Sequence, residues 1–548
     1  MAGTGQPPAA GDLVPGAGPA PGGDDRAAGA WRAAGGAGST VMGLACSGPR
    51  GVAVLVETVV DRGLPHFVVV GLPSAAVREA RERVRAAVRA SGRTFPLQRI
   101  TVSLSPADLP KEGTSLDLPV ALGLLAASGQ APSLPAGWAA FGELGLDGSV
   151  RPVRGALSMA VAARQEGVTC LVCPAANARE VALLPGIRLL PVERLSDLLD
   201  RLGRSDPWNP APRIPAPGDP PAPRPVPPDL ATVQGQPWAR KALELAAAGG
   251  HHILFLGPPG AGKTLLASCL PGLLPPLHPD EAIEVTALHS LAGQLPPGAG
   301  LIAWPPLRAP HHATPVAALV GGGKVPRPGE VSLAHRGVLL LDELAEFRRE
   351  TLEALREPLE TGSVTVARLA GVERFPAAFQ LAATANPCPC GQPGGRCRCS
   401  ERQVTRYRQA LSGPLLDRID LQVRVGRASA PPTAPRRQED SATVRARVVA
   451  ARRLQAERFR RLGLAHPPGL GPMNRWLEAG DAHRWAPLSP PARRLLDELY
   501  RDEELGVSGR GLLKLLRVAR TAADLQGRDE IAVDDVQLAA QFRFGPGW

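Results

Sequence analysis

The octapeptide Gly257-Pro258-Pro259-Gly260-Ala261-Gly262-Lys263-Thr264 constrains this chain more than any other stretch, because the G-x-x-x-x-G-K-[ST] spacing wraps backbone around a phosphate chain. Glycines at those positions let successive N–H groups turn inward, and a helix dipole immediately downstream adds to the attraction for an anion. The flanks suit the motif. His251 to Leu256 (HHILFL) reads as a short buried strand, and Leu265 to Leu270 as a helix. Residues 257–264 are therefore expected to bind ATP, with Lys263 reaching the β- and γ-phosphates and the Thr264 hydroxyl holding Mg²⁺. A plain glycine-rich turn ahead of a helix is the alternative, and the complete spacing with both flanks weighs against it.

Hydrolysis needs carboxylates as well as a cradle. Val338-Leu339-Leu340-Leu341-Asp342-Glu343 is an apolar run that ends in two. At the tip of a buried strand, Asp342 would bind Mg²⁺ through water, and Glu343 would orient the water that attacks the γ-phosphate. The plainer reading is a strand running into an acidic helix start, Leu344 to Glu360; an upstream P-loop makes the catalytic one stronger. Phe379 to Ala385 (FQLAATA) reads as a further buried strand that delivers the amide of Asn386.

A chain of 548 residues is too long for one core, and its 44% hydrophobic content is that of a globular protein. Composition marks the joints. Residues 1–38 are Ala, Gly and Pro with few large apolar side chains and are expected to be a disordered tail. Residues 39–204 alternate strand and helix patterns: Val41 to Leu44, Gly51 to Val59, His66 to Val70 and Arg99 to Leu104 as strands, with a serine-capped helix from Ser74 to Ala90. Residues 205–228 form a stiff proline-rich linker. An α/β ATPase core follows over 229–436, and a helical, basic lid over 437–548. The net charge of +11 favours an acidic polymer as partner. No long apolar window and no signal-peptide pattern is seen, so the expected location is cytoplasmic, with no membrane partner.

Of the eight cysteines, Cys388, Cys390, Cys397 and Cys399 fall in one loop, 388–399. Four thiolates at C-x-C…C-x-C spacing can surround Zn²⁺, although these pairs are tighter than the usual C-x2-C. Cys46, Cys170, Cys173 and Cys269 sit in apolar surroundings and read as small core residues.

Residues 41 to about 200 resemble the N-terminal domain of the magnesium-chelatase-like ATPases, a fold shared with the second domain of ribosomal protein S5 and with the Lon protease domain. That likeness places Ser115, in K-E-G-T-S, where the Lon nucleophile falls. A serine nucleophile needs a base, and the stretch where Lon-like domains carry a lysine, Pro152 to Met159, offers only Arg154, which does not give up a proton near neutral pH. Ser115 is accordingly read as a helix cap and the domain as non-proteolytic.

Residues 41 to about 545 as a whole resemble the YifB/ComM family of magnesium-chelatase-like AAA+ proteins. The resemblance is carried by P-K-E-G-T-S-L-D-L-P, G-P-P-G-A-G-K-T, A-P-H-H (309–312), G-E-V-S-L-A-H-R-G-V-L-L-L-D-E-L (329–344), A-N-P-C-P-C-G (385–391) and G-P-L-L-D-R-I-D (413–420). It implies a homo-hexameric ATPase acting on DNA, with branch migration in natural transformation for the competence member. It further implies sensor 1 at Asn386, an arginine finger at Arg418 and sensor 2 at Arg510. Hairpin inserts facing the pore would fall at 307–332, with His311, His312, Lys324 and Arg327, and at 364–375, with Arg368 and Arg374. Basic side chains there would grip DNA phosphates without reading bases; subunit packing is the alternative. Two other functions stay open: insertion of Mg²⁺ into a porphyrin, and a regulatory ring that binds proteins through its N-terminal domain.

Overall fold

The computed structural model describes residues 37–72, 75–107, 111, 113–207, 226–296, 299–323, 326–368, 371–392, 397–410, 413–426, 438–466, 471–502, 505 and 507–544. The expected tail, most of the proline-rich linker, the capping Ser74 and Lys324 lie outside them.

The N-terminal part is built on a seven-stranded sheet. Its strands are β1 (Ala37–Ser47), β2 (Arg50–Asp61), β3 (His66–Val70), β4 (Arg99–Ser105), β5 (Trp138–Ala140), β6 (Cys170–Pro174) and β7 (Arg188–Val192), in the order β3-β4-β2-β1-β5-β6-β7. β1 with β2 and β2 with β4 are antiparallel, while the other pairs run parallel. One face takes the helices Ala75–Ala90 and Asp117–Ala127 and the other Ala156–Gln165, so each face has its own apolar core. The helix Asp117–Ala127 (DLPVALGLLAA) is apolar on almost every side and buried accordingly. It lies close on β1 because position 43 is glycine; a Cβ there would stand 2.9 Å from Leu116.

Ser115 does not cap this helix, contrary to expectation. The N-cap is Leu116, with no side-chain cap bond, and Ser115 is buried while its carbonyl accepts from the Gly142 amide. The helix start is held instead by Asp117, whose carboxylate takes a two-pronged ion pair from Arg83 (2.6 and 3.0 Å) and the Leu144 amide.

The second part contains a five-stranded parallel sheet: β8 (Ile253–Leu256), β9 (Leu307–Arg308), β10 (Val338–Leu341), β13 (Gln380–Ala385) and β14 (Leu421–Arg424), in the order β9-β10-β13-β8-β14. A separate antiparallel hairpin, β11 (Ser363–Arg368) and β12 (Gly371–Pro376), lies between β10 and β13 in sequence. β8, β10 and β13 are near-continuous apolar runs, as strands covered on both faces must be. Chain order reverses around β8, which puts the ends of β8, β10 and β13 side by side, the usual place for a ligand in such a sheet.

The single helix expected over Leu344 to Glu360 is instead three pieces, Leu344–Glu346, Arg349–Glu353 and Arg356–Thr361. Phe347 makes the first break by taking extended backbone and burying its ring in the core. Four longer helices, Ser441–Leu462, Pro490–Arg501, Gly509–Leu525 and Val533–Phe544, form the lid and share one apolar core with the helices flanking β8. The N-terminal part docks on the helix Pro279–Leu291: Ile283 joins its core and Ser290 hydrogen-bonds Glu180.

Candidate nucleotide site

The loop after β8 leaves the sheet at Gly257, whose amide donates to the Ala385 carbonyl at 3.2 Å. Glycine is required there, since a Cβ would lie 2.0 Å from the carbonyl oxygen of Val425, just past the end of β14. Gly260 and Gly262 have φ of +74° and +86°, which bends the loop back onto the helix Lys263–Leu273. Gly262 is the N-cap of that helix and offers no side-chain cap, which leaves the first-turn amides to an anion. The Lys263 ammonium donates to the carbonyls of Gly257 (2.8 Å) and Pro258 (2.9 Å) and to Asn386 Oδ1 (3.0 Å). Burial lowers its pKa, and Asp342 and Glu343 oppose that shift. Uncapped amides, a cation and open space beside Gly260 and Gly262 together fit a polyphosphate.

Across the cradle, Asp342 Oδ1 accepts from Thr264 Oγ1 at 3.0 Å and from Thr384 Oγ1 at 2.5 Å. Hard oxygen atoms from Thr264 and Asp342 at this separation suit Mg²⁺. Glu343 follows in the left-handed region (φ +55°), unusual for a residue with a Cβ, and its amide donates to the same Thr384 hydroxyl at 3.0 Å. Thr384 thus holds the Asp342 carboxylate and the Glu343 backbone at once. Sequence reading passed over it; the available signal was one hydroxyl in an otherwise apolar strand, two positions before Asn386. Tyr407, on the helix Glu401–Ala410, was missed too. Its phenol accepts from the Asn386 backbone, and burial pushes its pKa up to about 12.

The structure brings Gly257 to Thr264, Asp342, Glu343 and Asn386 to one edge of the sheet. Arg418 lies beyond β13, in an ion pair with Glu360 on the short helix Arg356–Thr361. Its neighbours are gripped by the lid. Arg543 donates to Asp417 Oδ1 (3.0 Å) and the Ile419 carbonyl (2.7 Å), and Lys514 donates to the Asp417 carbonyl. Arg510 is exposed in the first turn of Gly509–Leu525, capped by Ser508. Arg374 is exposed on β12 and donates to Ser363 Oγ at 2.8 Å; Arg368 begins the turn on β11, and its side chain lies outside the described set, as Lys324 does entirely. His311 and His312 stack on one another, 4.0 Å between centroids, with His312 also against Phe347.

The sulfur atoms of Cys388, Cys390, Cys397 and Cys399 lie within 4.8 Å of one another. Amides of Gln392 and Arg398 hold the Cys390 thiol down to about 6, while burial pushes Cys388 up to about 12. Cys46, Cys170, Cys173 and Cys269 are each pushed to about 12 by burial, as core thiols are.

Three family descriptions match the chain in succession: subunit ChlI of Mg-chelatase over residues 56–177, magnesium chelatase subunit ChlI over 229–432, and the magnesium chelatase subunit ChlI C-terminal region over 438–543. The chain is 41% identical over 508 residues to the uncharacterized protein YifB of Escherichia coli, covering 91% of this chain and 96% of that one. It is 40% identical over 511 residues to the competence protein ComM of Haemophilus influenzae, with the same 91% and 96% coverage. A shorter likeness, 29% over 154 residues, links 27% of the chain to 17% of the Lon protease of Treponema pallidum.

Proposed function

Because the chain belongs to the YifB/ComM family of magnesium-chelatase-like AAA+ proteins, we propose that it is a cytoplasmic, homo-hexameric ATPase that couples ATP hydrolysis to movement on DNA. The observation that carries the ATPase reading is the placement of Asp342 and Glu343 by one hydroxyl, Thr384, opposite Lys263 and Asn386.

Each part then has a task. Lys263 moves from the carbonyls of Gly257 and Pro258 onto the β- and γ-phosphates, and the amides at the start of its helix hold the rest of the chain. Thr264 and Asp342 would hold Mg²⁺, which would neutralise charge on the phosphate oxygens. Glu343 orients the attacking water and accepts its proton, and Asn386 fixes that water from the other side. Arg418 reaches the pocket of the neighbouring protomer, where a guanidinium stabilises transition-state charge, and Arg510 reports the nucleotide to the lid. For Arg418 this means giving up Glu360.

Three features support DNA as the partner: the name of the competence relative, the net charge of +11, and a basic hairpin carrying Arg368 and Arg374, with Lys324 in the neighbouring insert. Branch migration is the activity proposed. A second reading, Mg²⁺ insertion into a porphyrin, is favoured by the ChlI descriptions of the matching families. ATP turnover with and without single-stranded and four-way-junction DNA separates the two. DNA stimulation of the wild type, absent in Lys263→Ala, supports the motor; turnover indifferent to DNA contradicts it.

A further inference from the structure

We propose that Cys388, Cys390, Cys397 and Cys399 hold one structural Zn²⁺, and that this ion fastens residues 386–392 against the phosphate-binding loop. The sulfur geometry comes first. Cys388 lies 3.4 Å from Cys390 and 3.6 Å from Cys397, and Cys390 lies 3.7 Å from Cys397. In a tetrahedron with Zn–S bonds of about 2.3 Å, the sulfur atoms stand about 3.8 Å apart. Three of the thiols are therefore at the spacing of tetrahedral corners, the Cys399 sulfur lies within 4.8 Å of each of them, and all four are free cysteines.

The donor set selects the ion. Four soft thiolates in tetrahedral array suit zinc, and they do not suit the Mg²⁺ that the nucleotide site needs. With all four positions filled by protein, no place is left for water or substrate, so the ion is structural. Each thiol releases its proton on binding, leaving a dianionic centre in a segment that also carries Arg398, Arg402 and Arg406.

The loop then touches the nucleotide site at three points. Gly391, at φ +67°, turns the chain between the cysteine pairs with its amide bonded to the Cys388 carbonyl at 2.9 Å. It packs so closely on the P-loop that a Cβ would stand 2.6 Å from Pro259 Cδ. Asn386, which accepts from Lys263, is separated from Cys388 only by Pro387. Beyond Cys399, the helix Glu401–Ala410 returns Tyr407 to the Asn386 backbone. Removing the ion frees the segment that positions Asn386 and presses on Pro259, so nucleotide binding weakens without any loss of a phosphate contact. This second half rests on the nucleotide reading above; the zinc assignment does not.

The test uses the full chain, purified with a phosphine reductant and no chelator. Elemental analysis is expected to give one zinc per chain in a colourless protein. Zinc well below stoichiometry, disulfides among these cysteines by intact mass, or iron with visible absorption each overturns the assignment. Cys397→Ser/Cys399→Ser should lose the zinc and, with circular dichroism unchanged, bind a fluorescent ATP analogue at least tenfold more weakly. Gly391→Ala should keep the zinc yet bind the analogue roughly tenfold more weakly, because the added Cβ pushes Pro259 and with it the phosphate-binding loop out of place. Wild-type affinity in both variants overturns the coupling. A wild type that holds zinc but binds no ATP analogue supports the zinc site and sinks the nucleotide reading instead.

Discussion

Thr384 shows how much one hydroxyl can organise. It donates to Asp342 and accepts from the Glu343 amide, so Thr384→Val leaves the Lys263 cradle intact while the Asp342 carboxylate and the Glu343 backbone lose their shared anchor. Turnover is expected to fall about 10- to 100-fold with the nucleotide dissociation constant within about threefold, a kcat effect read by steady-state phosphate release and analogue titration. Lys263→Ala should act differently, removing nucleotide binding and turnover together. At this scale the sequence was legible wherever spacing encodes chemistry. Residues 257–264 and the Asp342-Glu343 pair declare themselves because a phosphate cradle and a strand-end carboxylate pair tolerate few other patterns. Thr384 does not, since its role depends on register with β10. Ser115 was misread because its neighbours suggest a cap, whereas the helix begins beyond Leu116 on an Asp117 already paired with Arg83.

Among elements, the packing within the lid and its joint to the core both rest on buried polar groups. Asp524 is fully enclosed and accepts from Arg458, Arg520 (3.0 Å) and Asn474 (2.7 Å). Asp524→Ala takes the carboxylate from two buried guanidinium groups, Arg458 and Arg520, and is expected to cost about 3 kcal/mol, seen as an earlier thermal transition of the lid. His252 offers a pH test. Its Nδ1 accepts from the Leu381 amide, and burial, then Arg475 at 2.8 Å, hold its pKa well below the usual imidazole range, with Asp420 opposing and Lys514 and His251 adding to the shift. Below about pH 6.5 the unfolded chain takes up a proton that the folded ring refuses, so the folded state loses stability as pH falls. The melting temperature should therefore drop from pH 7.5 to 5.5, and less steeply in His252→Gln. The parallel strands and lid helices were readable from apolar runs and 3.6-residue periodicity. The break after Glu346 was not, because it follows from Phe347 turning inward, a tertiary event.

For the whole molecule, the lid holds Asp417 and Ile419 through Arg543 and Lys514, on either side of Arg418. Lid position is thereby linked to Arg418, the guanidinium proposed to act on a neighbour. Arg418→Ala should bind nucleotide normally and turn over at least 100-fold more slowly, consistent with the worth of an arginine finger. Mixed with Lys263→Ala it should regain activity, since a P-loop from one variant meets an arginine from the other; two inactive variants that stay inactive when mixed argue against a shared site. The order of motifs made the ATPase plan readable, whereas the docking of the N-terminal sheet on Pro279–Leu291 depends on surface contacts that no motif encodes. The most direct measurement is phosphate release by wild type and Glu343→Gln at saturating Mg²⁺ and ATP, with four-way-junction DNA present. The wild type should turn over, and the variant should bind the same nucleotide with undiminished affinity while releasing phosphate at less than about a hundredth of that rate. Equal rates for the two proteins, or no turnover by the wild type, would contradict the assignment of this site.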